Sequence, residues 1–166
     1  EEILEKIIHL NRQKADYLGF DKHPYNALLD EFDKGSNIDL IDPVFKSLRD
    51  ECIRLLNSIE NIKEPNTDIL DQVYDSDAQF KLSIELCSIL GLKDEQFRLD
   101  ISEHPFTSRV AGNDLRLTTR INKHDIKESI WSTIHEAGHG LYELNLKQEE
   151  AFLPSGEASS LSVHES

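Results

Sequence analysis

The sequence predicts a mainly α-helical fold with a small β element of two or three strands between residues 97 and 121. Three observations carry that prediction. Apolar residues recur at helical spacing along most of the chain up to Gly91, two short segments beyond Gln96 largely alternate with period two, and helical spacing returns from Ile126 to Leu144.

In the first helix, from Ile3 to Leu18, the residues Ile3, Leu4, Ile7, Ile8, Leu10, Ala15 and Leu18 make an amphipathic stripe. A second, shorter helix is expected from Pro24 to Phe32, with proline in its first turn and Gly35 as a stop. A third is expected to start with Asp42 as cap and Pro43 in the first helical position. Its stripe is Val44, Phe45, Leu48, Cys52, Leu55, Leu56 and Ile59. Asn61 to Asp68, holding Pro65, reads as a connector, followed by a short helical stretch around Ile69 to Tyr74. The segment from Ser76 to Leu90 is a helix ended by Gly91, a residue suited to the left-handed conformation.

The pattern then changes. Phe97 to Ile101 and Asp114 to Ile121 alternate and are rich in strand formers. Asp125 can cap the helix that runs from Ile126 through Ile130, Ile134, Ala137 and Leu141, and a last helix is expected from near Pro154-Ser155. No internal repeat or low-complexity tract is visible.

Composition narrows the function classes. With 166 residues, 38% hydrophobic and 30% charged, the chain can bury a core and is expected to be one soluble domain. Its net charge of −14, from 18 basic and 32 acidic residues with no dense Lys/Arg cluster, excludes nucleic acid and anionic membrane as natural partners. No run reaches the roughly 18 apolar residues of a membrane helix, and Glu1-Glu2-Ile3-Leu4 lacks a basic leader. Cys52 and Cys87 lie in apolar helical stretches, so both are expected to be reduced core residues of a cytoplasmic protein. The chain starts inside one helical pattern and stops inside another, which reads as a fragment. It divides into a helical part, 1–92, and a part, 93–166, holding the strands and the last helices.

The chemistry concentrates in His135-Glu136-Ala137-Gly138-His139. On a helix of about 3.6 residues per turn, side chains four apart share a face, so both imidazoles can bind one zinc ion. Glu136 is rotated about 100° from His135, which keeps it off the metal but within reach of a water there, the position of a general base. A solvated helix surface is the bland alternative. Ile134, Ala137 and Leu141 argue for a buried helix instead, where two unpaired histidines would be costly. A catalytic zinc site usually takes three protein ligands. Glu165 is the leading candidate for the third, with Glu157 and His164 as rivals. On a predicted helix Glu157 lies about two turns earlier and suits a first-turn carboxylate, while His164 points about 100° from Glu165 and suits support of the ligands rather than ligation. Spacing alone leaves the choice open.

Four ordered segments resemble the zinc metallocarboxypeptidases typified by thermostable carboxypeptidase Taq. They are His104-Pro105-Phe106-Thr107, Asp114-Leu115-Arg116-Leu117-Thr118, His135-Glu136-Ala137-Gly138-His139, and Gly156-Glu157-Ala158 leading to His164-Glu165-Ser166. The stretches Ala15 to Phe20 and Pro24 to Asp30 look similar too, so the likeness covers most of the chain. The resemblance implies a helical zincin-type catalytic domain with Glu165 as third ligand. It also implies that His104, Asp114, Arg116 and Thr118 close one end of a groove that takes peptide or protein C-termini. A fixed Arg116 guanidinium would suit a free carboxylate. Arg116 could equally form an ordinary strand ion pair with Asp114, and His104 could be a loop residue tied to backbone. His124 is expected to cap or lie on the surface.

The implied reaction is hydrolysis of a C-terminal peptide bond with Glu136 as base and Zn2+ as cofactor, although Co2+ or another divalent ion would suit the same ligands. The resemblance also implies a homodimer in the full-length protein. Family members extend on both sides of this chain, so the isolated fragment is expected to be inactive. A non-catalytic helical interaction module that retains the motif is the alternative, and an intact Glu136 disfavours it, since a structural zinc site needs no base.

Overall fold

Side-chain caps and glycines set most element boundaries in the computed structural model, which describes residues 2–70, 72–151 and 153–166. Among these residues there are six α-helices and three strands: α1 (Glu2–Leu18), α2 (Pro24–Phe32), α3 (Ile38–Ile59), α4 (Ser76–Leu90), β1 (Phe97–Ile101), β2 (Thr107–Ala111), β3 (Asp114–Thr119), α5 (Ile126–Asn145) and α6 (Leu161–His164). The mainly helical class with a small sheet is as expected. The chain forms two units, one of residues 1–64 with Ser159–His164 and Ser166, the other of Pro65–Ala158 with Glu165.

In the first unit, α2 starts where His23 Nδ1 accepts from the Tyr25 N–H at 3.1 Å, with Pro24 in the first turn. Ala15 of α1 and Ala27 of α2 are buried, small residues that allow close approach. Asn26 Oδ1 accepts from the Ile38 N–H at 3.0 Å and ties α2 to the start of α3. That start departs from expectation. Asn37 caps the helix by accepting from the Leu40 N–H at 3.1 Å, so α3 begins at Ile38 and Pro43 lies inside it. Proline there forgoes one i→i−4 bond, to the Asp39 carbonyl. The α3 stripe is also not a core: the helix buries no residue, Val44, Phe45, Leu48, Leu55, Leu56 and Ile59 are exposed, and so is Cys52. Cys52 is therefore a surface thiol, because periodicity reports a face and not what covers it. Ile3, Leu4, Ile7, Ile8, Leu10 and Leu18 of α1 are exposed in the same way.

The second unit holds a compact core of Cys87, Leu92, Leu99, Leu115, Leu117 and Ala137, with Phe80, Ile84, Phe97, Leu141 and Leu144 packed against it. Strand β3 is central. It pairs in parallel with β1, Leu117 opposite Leu99, and antiparallel with β2, Leu117 opposite Thr107. Leu115 and Leu117 point into the core while Asp114 and Arg116 alternate to the other face. Asp75 caps α4 through the Ala78 N–H at 3.0 Å, and Gly91 ends it at φ 109°, a left-handed conformation that glycine adopts without a Cβ clash.

Three further expectations need correction. Residues 68–70 form a turn, Gln72 a bend and Val73–Asp75 irregular backbone, not a short helix; Asp71, also within that expectation, lies outside the described residues. Strand β3 stops at Thr119, short of Ile121, and the Thr119 hydroxyl lies 2.9 Å from the hydroxyls of Ser132 and Thr133 of α5. Pro154–Gly156 is a single 3-10 turn, and the last α-helix starts only at Leu161.

Candidate metal centre

Helix α5 sits where its first turn and one side are pinned. Asp125 accepts from the Lys127 N–H at 3.0 Å at the N-terminus. Gln79, 1% exposed, joins α4 to that end: its amide nitrogen donates to the Tyr74 and Asn122 carbonyls, at 3.2 and 2.9 Å, and its oxygen accepts from Ser129 Oγ at 3.0 Å. Near the other end, Arg109 of β2 donates to the Glu143 carbonyl at 2.9 Å. Between them, buried Ala137 and Gly140 bring the helix close to β3; a Cβ at position 140 would stand 3.0 Å from Leu115 Cδ1.

This packing sets the phase of the helix. His135 and His139 emerge together, their rings 4.5 Å apart between centroids and nearly perpendicular at 78°. Their Nε2 atoms are 3.1 Å apart, and Glu165 Oε2 lies 3.7 Å from His135 Nε2 and 3.6 Å from His139 Nε2. Donor atoms 2.0–2.1 Å from a tetrahedral zinc ion would be about 3.3–3.4 Å from one another, so this triangle has the size such an ion requires. Two imidazoles and a carboxylate are also a donor set that zinc accepts. Glu157 and His164 do not join this cluster. Glu157 follows the 3-10 turn with extended backbone, and His164 is half-buried at the end of α6.

Glu136 is 5% exposed, and Thr107 Oγ1 of β2 lies 2.6 Å from its Oε2 and 2.9 Å from its carbonyl oxygen. A buried carboxylate needs such a donor. This contact was not legible in the sequence. Residues 107–111 alternate too weakly to mark a strand, and only the register of β2, with Thr107 opposite Leu117, turns that hydroxyl toward α5.

The remaining candidate residues occupy the sheet and the loop before β2. Arg116 Nη2 is bonded to Asp114 Oδ2 at 2.8 Å, both side chains 44% exposed, so the ordinary strand ion pair does form. Thr118 is buried and builds the loop. Its hydroxyl lies 2.7 Å from Ser102 Oγ and accepts from the Phe106 N–H at 2.9 Å, and its own N–H donates to the Phe106 carbonyl at 2.9 Å. His104 is exposed, its carbonyl accepting from Ser102 Oγ at 2.7 Å. His124 is exposed as well.

A family model described as carboxypeptidase Taq (M32) metallopeptidase matches residues 1–166, the whole chain. The chain belongs to this family. It is 36% identical over 166 residues to thermostable carboxypeptidase 1 of Pyrococcus furiosus and 32% identical over 164 residues to carboxypeptidase 1 of Bacillus subtilis, covering 98% of this chain in each case. Among solved structures, the M32 carboxypeptidase from Deinococcus radiodurans R1 superposes with a TM-score of 0.91 at 31% identity, covering 97% of this chain and 32% of that one. The apo-Mg carboxypeptidase of Pyrococcus furiosus gives 0.87 at 34% identity, with coverages of 97% and 33%. The chain spans about a third of the length of the curated relatives it matches. Membership in a metallopeptidase family implies a divalent metal. No helix among the described residues is long and apolar enough to cross a membrane.

Proposed function

We propose that the chain is part of a single catalytic domain of a zinc metallocarboxypeptidase that hydrolyses the C-terminal bond of peptides. The observation that carries this reading is the convergence of His135 Nε2, His139 Nε2 and Glu165 Oε2 to a triangle of zinc-ligand size, with the Glu136 carboxylate on the next residue of the same helix. The three side chains would hold the ion, which would supply Lewis-acid polarisation of the scissile carbonyl and lower the pKa of water at the site. Co2+ or another divalent ion suits the same donors. Glu136 takes the proton of the attacking water and passes it to the leaving amine.

Arg116, steadied by Asp114, offers its half-exposed guanidinium to the substrate carboxylate. His104 lines the same end of the groove from the loop that Thr118 holds in shape, and His164 supports the ligands. A buried, hydrogen-bonded base beside the ligands favours catalysis over a metal-stabilised interaction module. The side chains of His135 and Glu165 are 54% and 51% exposed, so the 166-residue chain alone leaves the site open to bulk water and is expected to be inactive.

The test uses the polypeptide extended to the relatives' full length. Glu136→Gln keeps the metal and lowers release of C-terminal amino acids from an N-blocked peptide by orders of magnitude, whereas Glu165→Gln loses metal. Unimpaired turnover in Glu136→Gln would sink the assignment. The extended protein is also expected to be a cytoplasmic homodimer, the setting in which the free thiols of Cys52 and Cys87 stay reduced; native mass and cell fractionation check this.

A further inference from the structure

We propose that Thr107 is a positioning residue for Glu136, a role that rests on the reading of Glu136 as the general base. A glutamate has three side-chain torsions, and a base that must meet a substrate water at hydrogen-bond distance gains from having them fixed. Within α5 the backbone alone does not supply that restraint. The packing of β2 does: as the edge strand beside β3 it carries Thr107 opposite Leu117, on the sheet face that α5 covers.

The threonine hydroxyl has one proton and two acceptors within reach, the carboxylate Oε2 at 2.6 Å and the carbonyl oxygen of the same residue at 2.9 Å. The side-chain oxygen is the nearer acceptor, so the proton goes there. This bond pins one carboxylate oxygen and leaves the other to receive the proton from water. Thr107 touches neither the three candidate ligands nor, by this geometry, the substrate, so its effect passes through Glu136. Thr107 directly follows His104-Pro105-Phe106, and the loop that Thr118 organises therefore also sets where this hydroxyl lies.

Thr107→Val keeps the shape and removes the hydroxyl. In the full-length metal-loaded enzyme it is expected to lower kcat about ten- to a hundredfold with KM within about twofold and with metal content unchanged. Thr107→Ser restores kcat to within about threefold of the parent. A crystal structure of Thr107→Val should show the Glu136 carboxylate in more than one rotamer, and that of Thr107→Ser in one. Should valine impair folding, Thr107→Ala and Thr107→Ser form a second pair of small residues that differ only in the hydroxyl. A kcat within twofold of the parent in the variant lacking the hydroxyl, or Glu136 unmoved in its crystal structure, overturns the proposal. If Thr107→Val is silent while Glu136→Gln is inactive, only the positioning role fails; if Glu136→Gln is fully active, the reading of the base fails and this role with it.

Discussion

Cys87 is fully buried in the core of the second unit, and burial pushes its thiol up from the ordinary value of about 9 to about 11. The raised value means that the protonated form is the one the fold favours. Its contribution to stability is therefore complete below about pH 9 and is lost as pH rises toward 11. Urea unfolding is expected to show a loss on the order of 2 kcal/mol from this residue across that window, absent in Cys87→Ala. Cys52 offers the contrast: both cysteines lie in apolar helical stretches, yet only Cys87 meets an opposing surface. The same logic applies at the site. That His135 and His139 share a face of one helix follows from spacing because four residues span about one turn, whereas the partner of Glu136 depends on which strand lies beside α5.

At the scale of elements, α5 depends on small residues where it crosses β3. A Cβ at position 140 would meet Leu115 Cδ1 at 3.0 Å, Leu117 Cδ2 at 3.8 Å and Leu92 Cδ1 at 3.9 Å. Alanine would gain about 1 kcal/mol of helix propensity against a contact with the movable end of a leucine, so Gly140→Ala is expected to be near neutral. Gly140→Val adds two methyl groups beyond that Cβ and should lower the urea midpoint, costing about 1–3 kcal/mol. Because His139 is the preceding residue, a drop in metal affinity should accompany it.

Element boundaries followed the sequence where one residue dominated, as with Gly91 and Asp125. They departed from it where two signals competed. Asn37 capped α3 ahead of Asp42 and Pro43, and Pro154 opened only a 3-10 turn. Strand β2 went unread because strong alternation is a property of a half-buried strand, and β2 shows one edge and much of its surface to solvent.

For the whole molecule, the apolar residues that periodicity picked out have two fates. Those of α4, the sheet and α5 enclose a common core, while those of α1 and α3 remain largely exposed. The expectation of a helical fold with a small sheet depended only on local pattern and is met. The expectation that Cys52 and Cys87 are both core residues required knowing what lies opposite, and for Cys52 it fails. The chain spans about a third of its relatives, so apolar surface of this extent is compatible with further protein packing on it.

The sequence by itself determined the helical character, the strand-bearing segment after Gln96, the paired histidines with their adjacent glutamate, and the family resemblance. Each follows from side chains close enough along the chain for helix or strand geometry to relate them. Tertiary structure decided that Thr107 meets Glu136, and it brings beside the two imidazoles Glu165, the residue that spacing left open and the family resemblance implied. Those contacts join distant positions, and their distances are set by strand register, helix phase and the path of the connecting backbone, none of which a local pattern contains.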